Sequence, residues 1–382
     1  MPAAGATSPR WLLGIDGRGF QLGGRAYLGL MIAAFVCYLV VVATAGHIRP
    51  RVLSTAIVAL VALFTLAPPL LSQDVFSYVA YGSLAAEHGL DPYVAVPAQR
   101  PNDPVFPFVG WRTAGVAYGP LFVFAVYPLG FLRVAVALWA LKVVGGLAVL
   151  ALTTVTAHIA KIRGGDPQRA AVMVALNPLV LVHVVGGAHN ESLLMLAAMG
   201  SVALLLTGRQ ISGALALVLA VGLKASGVLV APFALIGTRR RVHLAGALAA
   251  ALAVVGATAF VAFGSHVWAA GQLMGRNQSL TSHYSVPSTV ARLTTLPVDR
   301  VRVAELAAYA VGVVGLLWWT GRGGDWVRAT GWATFGLLVA SSWLMPWYVM
   351  WALPLAAVAR DRRLTGSVLA LCAFQLVNRV PL

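Results

Sequence analysis

Chemistry in this chain begins with a carboxylate. Asp74 lies in Ser72-Gln73-Asp74-Val75-Phe76-Ser77-Tyr78-Val79-Ala80-Tyr81-Gly82, directly after the apolar run 52–71. A carboxylate inside hydrocarbon is costly, so this one belongs at the lipid–water boundary. Two uses fit it there: a general base for a hydroxyl nucleophile, or the N-cap of the helix that follows. His189-Asn190-Glu191, after Gly186-Gly187-Ala188, interrupts a strongly apolar context. It reads equally as a set of ligands for an anion or a polyol and as a helix start, with Asn190 capping and Glu191 in the first turn. Lys224, lone between Gly222 and Gly227 in the run 211–236, must either snorkel outward or meet an anion. Arg112 beside Trp111 offers a phosphate contact with an aromatic platform, or a head-group anchor. Arg276-Asn277-Gln278 and His283-Tyr284 supply cations and hydrogen-bonding groups that also suit an ordinary solvated loop. Trp343, Trp347, Tyr348 and Trp351 surround Pro346, where an interfacial belt competes with sugar stacking; the belt is the reading for Trp343 and Trp351.

The elements that must position these residues are membrane helices. With 60% hydrophobic and 10% charged residues and a mean hydropathy of +0.85, the chain cannot build a solvated surface around a soluble core, and the expected class is an all-α polytopic membrane protein with about 11–13 transmembrane helices. The formal charge of +16 sits in short arginine clusters between apolar runs, as in cytoplasmic loops facing anionic lipid, so membrane lipid accounts for it without nucleic acid. Cys37 and Cys372 lie in apolar runs at opposite ends of the chain and have neither a metal spacing nor a disulfide pattern. The first apolar run, 27–46, is long enough to span a bilayer.

Placing Lys161, Arg163 and Arg169, Arg239 to Arg241, Arg322 with Arg328, and Arg360 with Arg362 and Arg363 inside gives a consistent alternation of crossings. Within it, 133–160 leads in, 170–185 leads out, 192–207 leads in, and 211–236 splits into two half-helices with Lys224 at the outer turn. Segment 118–132, with Pro120 and Pro128, becomes interfacial or re-entrant. Runs 244–264, 303–320, 329–345 and 349–359 complete the alternation. Arg10, Arg18 and Arg25 then fall outside, against the positive-inside tendency. The expected organisation is one membrane domain over 1–382, with an N-terminal tail (1–26), a first outer loop with interfacial helices (73–132) and a second outer loop (265–302).

That topology collects the polar variety on the outer face, and the chain lacks a phosphate-cradling Gly-Lys-Ser/Thr loop and a dinucleotide fingerprint. Energy must therefore come from the substrate itself. A lipid-linked activated sugar fits, with its phosphate at head-group level, cations for the leaving group and a base for the acceptor hydroxyl. Among candidate bases, Asp166, Asp325 and Asp361 fall on the wrong side, Asp16 in the tail, and Glu305 inside a span. Asp91 and Asp103 precede prolines in structural turns, and Glu87 falls on the solvated face of the helix that starts at Asp74. Asp74 and Glu191 remain. No carboxylate cluster in the sequence forms an obvious hard-cation cage, so no metal ligands and no required cofactor are assigned, and metal dependence stays open.

Residues 72–82, Gly-Leu-Asp-Pro-Tyr (89–93), Tyr-Gly-Pro-Leu (118–121), Leu-Asn-Pro-Leu-Val-Leu (176–181), Gly-Gly-Ala-His-Asn-Glu (186–191) and Pro-Trp-Tyr-Val-Met-Trp-Ala-Leu-Pro (346–354) together resemble the polyprenyl-phosphate-mannose-dependent α-1,6-mannosyltransferases of lipomannan assembly, which are GT-C-type glycosyltransferases. The resemblance covers roughly residues 50–360. It implies transfer of mannose from polyprenyl-phosphate mannose to a glycolipid or mannan acceptor at the outer side of the cytoplasmic membrane, with inversion. On it, Asp74 matches the catalytic carboxylate. Lys224, His189, Asn190, Arg276, His283 and Arg112 fall to the donor phosphate, and Tyr78, Glu191, Tyr284, Trp347 and Tyr348 to sugar and acceptor. Transfer of another polyprenyl-linked sugar, arabinose or glucose, is the enzymatic alternative. A transporter or flippase would also use broken helices and an intramembrane lysine.

Overall fold

Every regular element of the computed structural model is helical, with no strand among the described residues, which are 23–268, 271 and 280–378. Among the described residues, four helical segments are long and apolar enough to cross a bilayer: Gly24–His47, Val134–Ile162, Arg241–Trp268 and Val298–Gly321. This is an all-α polytopic membrane protein. Its long helices carry narrow packing stripes and otherwise face lipid. In α1 (Gly24–Thr44) the buried residues are Met31, Phe35, Tyr38 and Val42, while Leu30, Ile32, Val36 and Val40 are exposed. In α2 (Pro50–Leu66) Leu53, Ile57, Val61 and Thr65 repeat every four residues on one face. One buried core runs from Met31 to Leu376.

The middle of the chain consists of shorter and broken helices. Ala67-Pro68-Pro69 ends α2, because proline has no N–H to continue the ladder. The first outer loop then forms α3 (Asp74–Ala86), three-residue 3₁₀ turns at 97–99 and 106–108, and α4 (Pro120–Val126), which continues as a 3₁₀ segment over Tyr127–Phe131. Segment 118–132 is thus short and helical, and Gly82 crosses Gly130 so closely that a Cβ on Gly130 would sit 2.5 Å from the Gly82 carbonyl oxygen. Helix α5 (Val134–Ile162) crosses the bilayer.

The expected single crossing over 170–185 is instead α6 (Pro167–Ala175) and a π-helical segment Val180–Gly186, bent by 64°. Asn177-Pro178 accounts for the bend: proline disfavours helical geometry at the residue before it, and the Asn177 side chain accepts the Leu179 N–H (3.0 Å) in place of the lost ladder. Helix α7 (Glu191–Leu206) packs on α8 (Gln210–Leu223). The run 211–236 does break at Lys224, whose backbone is extended (φ −158°), before a 3₁₀ segment Ala225–Leu229 and α9 (Val230–Gly237).

After α10 (Arg241–Phe263) the expected outer loop 265–302 is partly helical. Its later part forms α11 (Val286–Thr294) and the first turns of α12 (Val298–Gly321), with Ser285 capping α11 through Ser288 N–H (3.3 Å). The remaining helices are α13 (Trp326–Ala340), α14 (Val349–Val358) and α15 (Arg362–Asn378). At the end of the molecule away from Asp74, the three aspartates set aside as bases cap helices: Asp166 starts α6, Asp325 starts α13 and Asp361 starts α15. Arg163 pairs with Asp325, and Arg328 Nε donates to Asp361 (2.6 Å).

Candidate active site

Asp74 is the first residue of α3 and does not cap it. Gln73 holds the cap position with no side-chain cap bond, and the Asp74 backbone N–H donates to Ser72 Oγ (3.1 Å). Its carboxylate faces elsewhere. Oδ1 accepts the indole N–H of Trp111 (2.9 Å), and Oδ2 lies 3.5 Å from His189 Nδ1. Burial is the main influence on this group and pushes its pKa up to about 6; the Trp111 N–H opposes that rise, the nearby Glu191 adds to it, and Lys224 and Ser72 lower it. A carboxylate with that pKa is ionised near neutral pH yet more basic than a solvated aspartate, which suits proton acceptance.

The second component arrives from the broken helix. Segment Val180–Gly186 ends in a tight turn in which Ala188 takes a positive φ of 53°, and α7 begins at Glu191. The turn delivers three polar side chains to one buried place: His189 is 1% exposed, Asn190 4% and Glu191 0%. The His189 ring stacks on Trp347 with centroids 3.7 Å apart, and its Nδ1 is 3.9 Å from Glu191 Oε2. Asn190 stands at the cap position of α7, but its side chain makes no cap bond. The helix-start reading is therefore geometrically true of the backbone and leaves the amide free for another use.

Lys224 supplies the third component. Its ammonium binds Glu191 Oε1 and lies 5.4 Å from the ring centre of Tyr118, 5.0 Å from Tyr348 and 5.4 Å from Trp351. This geometry decides against simple snorkelling, since the charge is met inside the protein. Its position depends on a close backbone crossing. The Gly119 N–H donates to the Leu223 carbonyl (3.1 Å), and a Cβ on Gly119 would lie 2.2 Å from the Gly222 carbonyl oxygen. Only glycine at 119 lets Tyr118 rest against Lys224. Tyr78 completes the wall, its hydroxyl 3.4 Å from that of Tyr118.

Both ring nitrogens of His189, both amide atoms of Asn190 and Glu191 Oε2 are buried without a hydrogen-bond partner. Buried polar atoms in folded proteins are nearly all bonded, so five such atoms in three consecutive residues mark a place shaped for a polar ligand.

A family model described as alpha-(1->6)-mannopyranosyltransferase, N-terminal domain, matches residues 24–240, more than half of the chain. The chain belongs to this mannosyltransferase family. A second model, the MptB C-terminal domain, matches residues 280–381. Alpha-(1->6)-mannopyranosyltransferase A of Mycobacterium tuberculosis is 29% identical over 372 residues, covering 87% of this chain and 70% of that protein. The enzyme of the same name from Corynebacterium glutamicum is 28% identical over 336 residues, with 76% and 67% covered. Alpha-(1->6)-mannopyranosyltransferase B of Corynebacterium glutamicum is 26% identical over 356 residues, with 79% and 58% covered. No solved structure matches the chain. Membership of a family of mannosyltransferases decides for a membrane glycosyltransferase over a carrier.

Within this mannosyltransferase, the other residues singled out from sequence are placed less centrally. The Arg112 guanidinium donates to the carbonyls of Val109 (3.1 Å) and Pro107 (3.2 Å) and lies over Phe106, so it builds its own loop. Its neighbour Trp111, read from sequence only as a platform, is the one that reaches Asp74. His283 and Tyr284 pack edge to face, with the His283 carbonyl accepting from Arg292 (2.5 Å) and the Tyr284 carbonyl from Gln375 (3.3 Å). They are stitched to the frame beside the site, since Ser282 N–H donates to Ser342 O (2.8 Å) just ahead of Trp343. Arg276, with Asn277 and Gln278, lies outside the described residues.

The belt reading fails for Trp351, which is 9% exposed and stacks on Tyr348 beside Lys224. Trp343 packs edge to face on Trp111, centroids 6.4 Å apart, and so also belongs to the site's rim. One charged residue was missed entirely. Lys142, within α5 and 0% exposed, donates to the carbonyls of Phe64 (3.2 Å) and Gly186 (2.8 Å), tying the end of α2 to the end of the π-helical segment. A lysine in the apolar interior of a 29-residue helix, far from the basic end at Lys161, is the available signal.

Proposed function

We propose that the enzyme takes mannose from polyprenyl-phosphate mannose and passes it to a hydroxyl of a lipid-anchored mannan at the outer side of the cytoplasmic membrane, with Asp74 as the general base. The observation that carries this reading is the convergence of Asp74, His189, Asn190, Glu191 and Lys224, drawn from three chain breaks, around polar atoms left without partners. Asp74 accepts the proton of the acceptor hydroxyl as that oxygen bonds to C1 of mannose. The bond from C1 to the phosphate oxygen breaks, and its electron pair leaves with the polyprenyl phosphate. Attack from the face opposite the leaving group turns a β-linked donor into an α-mannoside. Lys224 faces the growing negative charge on the phosphate, with Glu191 keeping the ammonium in place. His189 and Asn190 hydrogen-bond donor phosphate or sugar, and Tyr78, Trp347 and Tyr348 form the apolar faces on which sugar rings stack.

The test is transfer of labelled mannose from polyprenyl-phosphate mannose to a short α-1,6-mannoside by the purified enzyme. Asp74→Asn, melting at the wild-type temperature, should lose about a thousandfold in rate, within the range for a removed general base. A variant that keeps a rate within about tenfold of wild type removes Asp74 from this role. Orientation is tested separately with His266→Cys, at a half-exposed position joined to Asp91 (2.9 Å). An impermeant thiol reagent applied to intact cells should label it; labelling only after the cytoplasm is opened reverses the topology.

A further inference from the structure

The far end of α3 carries a second group of polar side chains that the transfer reaction does not use. Ser83 and Glu87 stand one turn apart on α3 and at its end, His88 follows, and Asp103 reaches in from the loop after the first 3₁₀ turn. One ligand atom each from Glu87, His88 and Asp103 lie within 4.8 Å of one another. Asp103 Oδ2 is 3.1 Å from His88 Nε2 and 2.5 Å from Ser83 Oγ, while Ser83 Oγ is 3.5 Å from Glu87 Oε2. Asp103 Oδ1 accepts the Val105 N–H (2.9 Å), which fixes the carboxylate's orientation toward the group.

Two further observations set this apart from ordinary surface acids. The Asp103 side chain is only 8% exposed, and among the described residues no lysine or arginine comes within 4.0 Å of Asp103 or Glu87, in a chain with a formal charge of +16. The basic group that does meet Asp103 is the His88 imidazole, at 3.1 Å, which is itself a metal-ligand type. In addition, Ser83, Glu87 and Asp103 line a cavity of about 700 Å³, which Arg133 also lines from farther off. That leaves room for water or an anion at open coordination positions.

The geometry points to a divalent-cation site formed by Glu87, His88 and Asp103, with Ser83 as a neutral fourth oxygen. Imidazole nitrogen with two carboxylates is a donor set for the Mn²⁺–Zn²⁺ class, since hard all-oxygen cages suit Ca²⁺ and Mg²⁺ and thiolate-rich sets suit structural zinc. The ion holds the loop 97–112 to the helix whose other end bears Asp74. It takes no part in the proton transfer, being a full helix length from that carboxylate.

The experiment uses the full chain in detergent, without a polyhistidine tag, stripped with EDTA and titrated calorimetrically with Zn²⁺, with Mn²⁺ followed in parallel by electron paramagnetic resonance. One ion per chain should bind, and His88→Gln and Asp103→Asn should each weaken it at least tenfold. Glu87→Gln, at an exposed position that leaves the Asp103–His88 contact intact, guards against loss through unfolding and should weaken binding as well. At the same concentration Zn²⁺ should raise the melting temperature of the wild type more than that of Glu87→Gln. No binding of either ion, or equal binding in all variants, overturns the site. Because these readouts involve no sugar transfer, they stand or fall apart from the role of Asp74.

Discussion

Trp111→Phe separates the electrostatics of the base from the packing of the site. The substitution removes the indole N–H that donates to Asp74 Oδ1 at 2.9 Å and keeps a ring against Trp343, whose centroid lies 6.4 Å away. A hydrogen bond to a charged group contributes about 1.5–3 kcal/mol. Trp111 is 39% exposed, so water replaces part of the lost donor, and the lower edge, about 1.5 kcal/mol, is the appropriate figure. That corresponds to roughly one pH unit. The sign follows from which form the bond favours. The N–H stabilises the carboxylate, so its loss raises the pKa of Asp74 above about 6, and protonation switches the base off at higher pH. The measurement is kcat/KM for mannosyl transfer across a window of roughly pH 4.5 to 8.5, which brackets the wild-type midpoint near 6 and that of the variant about one unit higher. The wild type should lose activity as pH falls through about 6. In Trp111→Phe this acid limb should move up by roughly one unit, with the rate above it little changed. An acid limb that stays in place or moves down, with a uniform loss of rate, refutes the assignment of Trp111 as the residue that tunes Asp74.

Other substitutions test the frame. Lys224→Met leaves Glu191 buried and unpaired, at a cost of about 3–5 kcal/mol, and should lower the melting temperature; Lys224→Met with Glu191→Leu should recover the fold without recovering transfer, both read by thermal shift and by label transfer. Gly119→Ala drives a methyl group into the Gly222 carbonyl, 2.2 Å away, and should cost about 1–3 kcal/mol while raising the donor KM, because Tyr118 is pushed off Lys224. Asp361→Ala removes the start of α15 and the partner of Arg328 and Trp332 (3.0 Å), and should cost about 2 kcal/mol in thermal unfolding with kcat preserved in the folded fraction. Burial would raise the Asp361 pKa, but hydrogen bonds from Trp332, Leu364, Arg363 and Arg328 hold it below the ordinary value. Its stabilisation is therefore present above the unfolded pKa of about 4 and is lost as pH falls through the lower folded value.

What could be read in the sequence was charge out of place. Asp74, His189, Glu191 and Lys224 each stand in apolar surroundings, where an ionisable group is too costly to be incidental, and the structure gathers all four. Their pairing could not be read. Glu191 was assigned to the sugar side, yet its carboxylate is the partner of Lys224, thirty-three positions away. Trp111 was noticed for its neighbour Arg112, because an indole N–H gives no sign in sequence of what it will reach. Glu87 and Asp103 look like a solvated helix face and a proline turn when taken one at a time, and only the fold of the outer loop brings His88 between them. The break at Lys224 was legible from its flanking glycines. The bend at Asn177-Pro178 was passed over, since a hydropathy run ignores the one residue that cannot donate.

The site occupies the place where three interrupted helices repair one another. Each break strands backbone groups in surroundings that offer no water, and each must find a partner within the protein. The end of α2 leaves the Phe64 carbonyl, and the π-helical segment leaves that of Gly186; Lys142 donates to both, and Leu70 N–H adds a second bond to Gly186 (3.1 Å). The break after α8 leaves the Leu223 carbonyl, which accepts from Gly119 in the outer loop (3.1 Å). His189 and Lys224 follow the repaired ends at Gly186 and Leu223 closely, and Asp74 follows Leu70, whose N–H is itself one of the repairing bonds, so their mutual distances are set by the same bonds that make the broken helices tolerable in a membrane. Damage to Lys142 or Gly119 must therefore reach stability and transfer together. Trp111 enters from an exposed loop and shares none of those bonds, which is why its replacement can report on the proton alone.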